Sequence, residues 1–483
     1  MVPREPFERP STPCTEHPFF WRHVPGVSWE DSDNGVSDAS ASPVRACRSR
    51  GPRLREVDNV IETATPPERA YLVGVELPRS RLDGDDSLDE LGSLVEAAGG
   101  IVVGRSVQAR RTRDPNSYVG RGKADEIGRE VSRLRADIVV CDDELKPSQQ
   151  RTLEEITSAA VLDRSAVILD IFARHARSRE GRIQVELAQL EYRLPRLVGR
   201  GKEMSRLGGG IGTRGPGESK LESDRQIIRK RIQDLRKQLD EVARQRERAR
   251  GSRTSEGLFL AAIVGYTNAG KSTLMNALAG SDVLVADQPF ATLDPTTRRL
   301  SLPAATTILL SDTVGFVNKL PATLVAAFRA TLEELADADL LLHVADVNHP
   351  NLHEHMRVVD ETLKSLGLDQ RPRLLVFNQT DRLRGEEGEG LREALGAEFP
   401  AAVFTSALKG EGLDTLRARL GEAAAARWKR VKTTLPYHAG ALVQQIRTRG
   451  SLRSVDYEEA GIRIEADVPP ELAAEIQTAV RHR

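Results

Sequence analysis

The sequence predicts an α/β protein with two separate parallel-sheet regions, a long helical pair between them and a small α+β unit at the end. Three observations predict it. Short β-rich apolar runs alternate with helix-period segments over about 70–180 and again beyond 257, the pattern of parallel strands covered by helices. Between those stretches Ile228, Ile232, Leu235, Leu239 and Val242 recur at spacings of 4, 3, 4 and 3, a heptad stripe. The apolar run Leu258–Val264 ends at a glycine and opens a helix, as a buried parallel strand does.

In chain order, residues 1–68 are rich in Pro, Ser, Arg and Asp without sustained period and read as a disordered extension. Phe19, Phe20, Trp21 and Trp29 within it suggest a short docking segment. Residues 69–181 form the first α/β unit: strands at Tyr71–Leu77, Ile101–Val103 and Ile138–Cys141, helices at Leu88–Ala98 and Ala124–Arg135. Residues 182–256 hold the helical pair, expected to be antiparallel, with a glycine-rich loop (207–218) between a helix at 182–195 and one at 218–249. Residues 257–428 form the second α/β unit, and 429–483 read as strand, helix, strand, strand, helix.

Composition narrows the class. The net charge of −1 is a poor guide, because residues 193–253 alone carry 18 Lys/Arg against 8 Asp/Glu. That stretch reads as a face for a phosphate backbone, with Arg206, Arg214, Lys220, Arg229, Lys230, Arg231, Arg236 and Lys237 as candidates; a merely solvated helix face is the alternative. No apolar run reaches about 18 residues, so no membrane insertion is expected. The start of the chain has no apolar signal core. Three scattered cysteines (Cys14, Cys47, Cys141) offer neither a disulfide framework nor a zinc site, which fits a cytoplasmic location. The nine histidines form no ligand cluster in sequence. Val119-Gly-Arg-Gly-Lys123 echoes Val198-Gly-Arg-Gly-Lys202 without the spacer of a phosphate loop, and its first copy is where a second nucleotide would be sought.

The chemistry sits in the second α/β unit. Gly265-Tyr266-Thr267-Asn268-Ala269-Gly270-Lys271-Ser272 matches G-x-x-x-x-G-K-[ST], between a strand and a helix. Glycines let backbone amides approach phosphate oxygens, the helix N-terminus favours the anion, Lys271 is placed for the β- and γ-phosphates and the Ser272 hydroxyl for Mg²⁺. About 40 residues on, a strand runs into Asp312-Thr313-Val314-Gly315: a carboxylate for Mg²⁺ through water, then a glycine amide for the γ-phosphate. A third strand ends in Asn378-Gln379-Thr380-Asp381. Asp381 can accept both N1–H and N2–H₂ of guanine, which adenine cannot offer, while Asn378 ties this loop to the phosphate loop. Ser406-Ala407 amides meet guanine O6. Between the first two motifs lie Phe290-Ala291-Thr292-Leu293-Asp294-Pro295-Thr296-Thr297, where a threonine must close over Mg²⁺; Thr292, Thr296 and Thr297 all qualify by position, or form a threonine-rich strand edge.

These motifs in this order, with the glycine loop Gly208–Glu218, resemble the HflX family of translation-factor-related GTPases over about 70–480. The resemblance implies a P-loop GTPase domain binding GTP/GDP and Mg²⁺, with Ser272 and Thr292 as metal ligands and Lys271, Thr292 and Gly315 as the catalytic set. It also implies a large ribosomal subunit and ribosomal RNA as partners, splitting of stalled or resting ribosomes under stress, and ATP at the N-terminal domain in some members; DNA is not expected. Two departures stand out. Gln379 replaces the usual lysine of the guanine motif, and Phe316, as in the family, stands where other GTPases keep a water-orienting glutamine. Slow intrinsic hydrolysis that a partner accelerates is the expectation. A nucleic-acid-remodelling ATPase working through the N-terminal unit and a protein-binding signalling switch are the competing readings.

Overall fold

A computed structural model describes residues 66–78, 83–197, 216–256, 259–280, 290, 296–302, 307–319 and 335–481, with backbone alone at 216–221, 246–256, 471 and 481. The disordered-extension reading of 1–68, the docking aromatics, most of the glycine loop and residues 291–295 therefore lie outside the described residues, save 66–68.

The first sheet is wholly parallel, in the order β2-β1-β3-β4: β1 (Arg69–Glu76), β2 (Ile101–Ala109), β3 (Ile138–Cys141) and β4 (Ala160–Asp163). Side-chain alternation splits its interior into two layers. Leu72 and Val140 face α1 (Gly84–Ala97) and α4 (Arg164–His175), whereas Tyr71, Val73, Val139 and Cys141 face α2 (Arg121–Leu134) and α3 (Pro147–Thr157). Because both faces are covered, β3 is buried at every residue. α1 starts earlier than the apolar spacing alone suggests, because the Asp83 carboxylate accepts from the amides of Asp85 (2.8 Å) and Asp86 (3.3 Å). α4 escapes a periodicity reading for the opposite reason: residues 164–169, 171 and 172 are all buried, so it has no polar stripe to betray its period.

α5 (Arg179–Arg196) carries the chain to α6 (Pro216–Glu256), a helix of 41 residues. The heptad residues Ile228, Ile232, Leu235 and Leu239 pack with Ile183, Leu187, Leu190 and Leu194 of α5. Glu186 pairs with Arg231 (2.7 Å) and Glu191 with Arg236 (2.7 Å) along this seam.

The second sheet has six strands in the order β10-β9-β8-β5-β7-β6: β5 (Phe259–Gly265), β6 (Thr296–Ser301), β7 (Thr307–Asp312), β8 (Leu340–Asp346), β9 (Arg373–Asn378) and β10 (Val403–Phe404). Only β6 runs antiparallel, on the edge beside β7. α7 (Lys271–Ala279) and α10 (Leu413–Ala425) cover one face; α8 (Leu352–Ser365) covers the other, and α9 (Gly385–Glu398) adds Leu395 to a cluster beside β9. This is a doubly wound, mostly parallel sheet with helices on both faces. A three-stranded antiparallel sheet, β11 (Lys429–Leu435), β13 (Gly461–Val468) and β12 (Ser451–Glu458), follows, with α11 (Gly440–Arg449) and α12 (Pro470–Arg481) on its buried face. The element order is the strand, helix, strand, strand, helix expected of that segment.

The α5–α6 seam is testable. Leu235 is fully buried, so Leu235→Ala should cost about 3 kcal/mol in a denaturant titration, whereas Lys230→Ala on the exposed face should stay within about 0.5 kcal/mol. Equal losses would mean that the stripe does not hold the pair.

Candidate nucleotide site

The predicted motifs converge because they end neighbouring parallel strands. β5 delivers Gly265, β7 delivers Asp312 and β9 delivers Asn378 to the same carboxyl edge of the sheet, the usual ligand edge of such folds. Two glycines are required there. Gly265 has φ +157°, and a Cβ on it would stand 2.2 Å from the Val344 carbonyl oxygen. Gly270, at φ +82°, leaves room for the Asn378 amide, which a Cβ would approach to 2.4 Å.

Asn378 is the hub of the loops. Its Nδ2 donates to the Ala269 carbonyl (3.0 Å), while its Oδ1 accepts from Thr405 Oγ1 (3.2 Å) and the Ala407 amide (3.1 Å). The Ser406 hydroxyl donates to the Asp381 carboxylate (2.6 Å). Gln379 adopts a left-handed backbone (φ +66°), and its side-chain amide donates to the Asn268 carbonyl at 2.9 Å. Thus the residue that replaces lysine grips the phosphate loop itself. The Thr380 amide donates to the Thr405 carbonyl.

At the other end, Lys271 is buried and donates to the Tyr266 carbonyl (2.7 Å). Burial pushes its pKa down to about 8, against the pull of Asp312. Ser272 Oγ donates to Asp312 Oδ2 (2.6 Å), and the Thr313 hydroxyl donates to the Ile263 carbonyl (2.7 Å). The segment 313–316 lies flat on the phosphate loop. The Thr267 amide donates to the Phe316 carbonyl (2.8 Å), and the Phe316 amide donates to the Gly265 carbonyl (3.0 Å). A Cβ on Gly315 would stand 2.9 Å from both Lys271 Nζ and Thr267 Cγ2. The Phe316 ring is 2 % exposed and packs with Leu335 and Val359, so it serves the core and not the phosphate chemistry. Val314 is turned into the core of the first sheet.

Other sequence candidates are placed differently. Phe290 does not join this cluster: its ring meets Phe172 of α4 edge-on at 4.7 Å, within the core of the first sheet. Ala291, Thr292, Leu293 and Asp294 lie outside the described residues. Thr296 and Thr297 belong to edge strand β6, where Thr297 bonds Ser311 (3.3 Å), so the strand-edge reading holds for them. Of the basic candidates, Arg231 and Arg236 are engaged with α5 and Arg229 with Glu222 (3.4 Å), leaving Lys230 and Lys237 exposed and without an ion pair among the described residues. Arg206, Arg214 and the Lys220 side chain lie outside them. The first glycine-arginine echo opens α2, with the Gly120 amide donating to Gln108 (2.8 Å) and Lys123 paired to Glu126 (2.8 Å); the second copy is outside.

Sequence spacing gave no sign that three histidines converge. His343, His349 and His355 line a cavity of about 260 Å³ between α1, residues 266–269 and the turn before α8. Tyr266 stacks on His355 at 3.7 Å, and His349 lies 4.0 Å beyond. No metal-holding group of side chains occurs among the described residues.

Two pH dependences follow. Phosphates need the charged form of Lys271, so nucleotide affinity should be flat below its pKa and fall by up to about tenfold per unit as pH rises through about 8. Titrating a fluorescent GDP between about pH 7 and 9 tests this; a flat profile would contradict it. His343 is pushed down to about 4 by burial, from 6.5. Its folded pKa is below the unfolded one, so the unfolded chain takes up the proton first, and stability is lost as pH falls from 6.5 toward 4. His343→Leu should make that acid loss shallower by up to about 1.4 kcal/mol per pH unit; an unchanged slope would locate the loss elsewhere.

Comparison with known proteins accords with this geometry. Family models described as "GTP-binding GTPase N-terminal", "GTP-binding GTPase Middle Region" and "50S ribosome-binding GTPase" match residues 85–173, 175–253 and 260–379. The GTPase HflX of Lacrimispora saccharolytica is 46 % identical over 417 residues, spanning 86 % of this chain and 97 % of that one. That of Caldanaerobacter subterraneus subsp. tengcongensis is 42 % identical over 423 residues, 88 % and 96 % of the two chains. A GTP-binding protein of Sulfolobus solfataricus, crystallised with GDP, is 25 % identical over 74 % of this chain and 99 % of its own, with a TM-score of only 0.39. No helix among the described residues is long and apolar enough to cross a membrane. With the Gly265–Ser272 and Asn378–Asp381 loops at one sheet edge and relatives of this likeness along most of its length, the chain belongs to the GTPase HflX family and is a GTP-hydrolysing enzyme.

Proposed function

We propose that this GTPase works on the large ribosomal subunit in the cytoplasm, and that GTP binding holds it in the form that splits or rescues stalled or resting ribosomes under stress. The observation that carries the reading is the match of residues 260–379 to a family described as 50S ribosome-binding GTPases. The basic stretch 193–253 supports it, through Lys230, Lys237 and the lysines and arginines flanking the glycine loop, as positioning contacts to phosphate that read no sequence.

In this reading Lys271 neutralises the β- and γ-phosphates, the Gly315 amide meets the γ-phosphate, and Asp381 selects guanine with Ser406 and Ala407 beside it. Mg²⁺ fits the donor set, because Ser272 Oγ and Asp312 Oδ2 lie 2.6 Å apart and hard oxygens are its preferred ligands; Thr292 is the further ligand that the family pattern implies. When bound, the ion neutralises charge on the phosphates. With the Phe316 ring in the core, no side chain at that position orients the attacking water, so intrinsic turnover is slow and the partner supplies order or charge.

The test is GTP hydrolysis by the whole chain with and without large ribosomal subunits, beside a Lys271→Ala control. Slow turnover should rise at least about tenfold with subunits, vanish in the control, and lose its stimulation as salt increases. Turnover indifferent to subunits would leave a GTPase and remove the ribosome.

A further inference from the structure

The first sheet has a crevice at the place where doubly wound folds hold their ligands. Chain order turns from β1 to β2 on one side and to β3 on the other, so the switch point lies between β1 and β3. Its floor is acidic: Asp142 and Asp143 follow β3, and Ser87 of α1 donates to Asp142 (2.6 Å). That crevice is filled by a side chain of the GTPase unit. Lys319 Nζ donates to Ser87 Oγ (3.2 Å), lies 3.3 Å from Asp143 and contacts Asp142.

The residue before it is held as firmly. Arg164, 1 % exposed, donates to Asp142 (2.9 Å), to Glu90 (3.2 Å) and to the Asn318 carbonyl (2.8 Å). The Asn318 amide donates to the Tyr266 hydroxyl (2.8 Å), which donates to Glu90 (2.6 Å). Both backbone groups of Asn318 are therefore fixed, one by the first sheet and one by a phosphate-loop tyrosine tied to it. Lys319 itself sits at φ +55°, a left-handed conformation that a lysine keeps only where its surroundings hold it. The charges balance: Glu90, Asp142 and Asp143 against Arg113, Arg164 and Lys319. Withdrawing Lys319 leaves this buried cluster one negative charge in excess, although Asp142 keeps Arg164 and Asp143 keeps Arg113, which favours two discrete states over gradual loosening.

Lys319 lies four residues beyond Gly315. With Lys319 seated, Gly315 is packed on Lys271 and Thr267, and Phe316 is paired in both directions with the phosphate loop. A Cβ on Gly315 would stand only 2.9 Å from the Lys271 ammonium, so the turn approaches closely the place where a γ-phosphate must sit beside that ammonium.

We propose that the β1–β3 crevice is a receptor for an alkylammonium group, supplied in cis by Lys319, and that its occupation opposes γ-phosphate binding. Glu90 and Arg164 are then positioning residues for the 312–319 turn: the first sheet distinguishes GTP from GDP through that turn without touching nucleotide. The inference needs GTP binding only and stands or falls apart from the ribosome.

The experiment compares the affinities of the full chain for GDP and for GTPγS, taken as a ratio. A folding lesion shifts both nucleotides together, whereas release of the turn shifts the ratio. Lys319→Ala should move it toward GTPγS by about tenfold. Propylamine should return the variant toward the wild-type ratio by refilling the crevice, and propanol should not. Hydrogen exchange adds a readout on the unmodified chain: α1 and the end of β3 should exchange faster with GTPγS than with GDP. An unchanged ratio in Lys319→Ala overturns the antagonism. A changed ratio that propylamine leaves untouched overturns the ammonium receptor. Equal exchange with the two nucleotides overturns the coupling between sheet and turn.

Discussion

A guanidinium removed from water must be answered on every side, and Arg164 organises much of this molecule around that demand. Burial works against its charge, and Glu90 and Asp142 more than offset the penalty. Its remaining donors go to two backbone carbonyls, one of them 154 residues away in the GTPase unit. Neither sheet satisfies this group alone. The first sheet supplies the carboxylates, the second supplies the Asn318 carbonyl, and the docking of one on the other is the condition for both. Phe290 on Phe172, and Val314 and Val317 in the first core, extend the same junction with apolar contact.

The nucleotide site is built on a similar economy of polar groups. Asn378 uses its carbonyl and its amide nitrogen to join three loops that are remote in sequence, and the absence of a Cβ at Gly270 is what lets it reach the phosphate loop. Gln379 adds a second grip through Asn268. The loops are thus held in register by protein contacts of their own, which costs a ligand less ordering on arrival. Two groups here are in poor balance: burial lowers the proton affinity of Lys271, and the Gln379 side-chain oxygen is buried without a hydrogen-bond partner among the described residues.

How much of this was legible in the sequence depends on how local the determinant is. The strand, loop and helix around Gly265 are readable because phosphate chemistry fixes residue types within eight positions. The α5–α6 seam is readable because heptads repeat. The start of α1 hinges on one capping carboxylate, Asp83, hidden in a loop-like composition, and α4 has no polar stripe to reveal it. Phe290 reads as part of a switch segment, yet its ring is apolar and finds the nearest core instead. The junction leaves no local trace at all: Glu90 and Tyr266 are 176 residues apart, and an Asp-Asp pair after a strand is common. Only folding brings Lys319 to it.

The long helix α6 has a mechanical consequence. Its 41 residues, at about 1.5 Å each, make an arm of about 60 Å, and only two residues separate its end at Glu256 from β5, the strand that carries the phosphate loop. Turned as one rigid body with β5, an arm of that length would carry its far end about 5 Å for a rotation of about 5°, so the seam with α5 that holds its middle is also what limits any such swing.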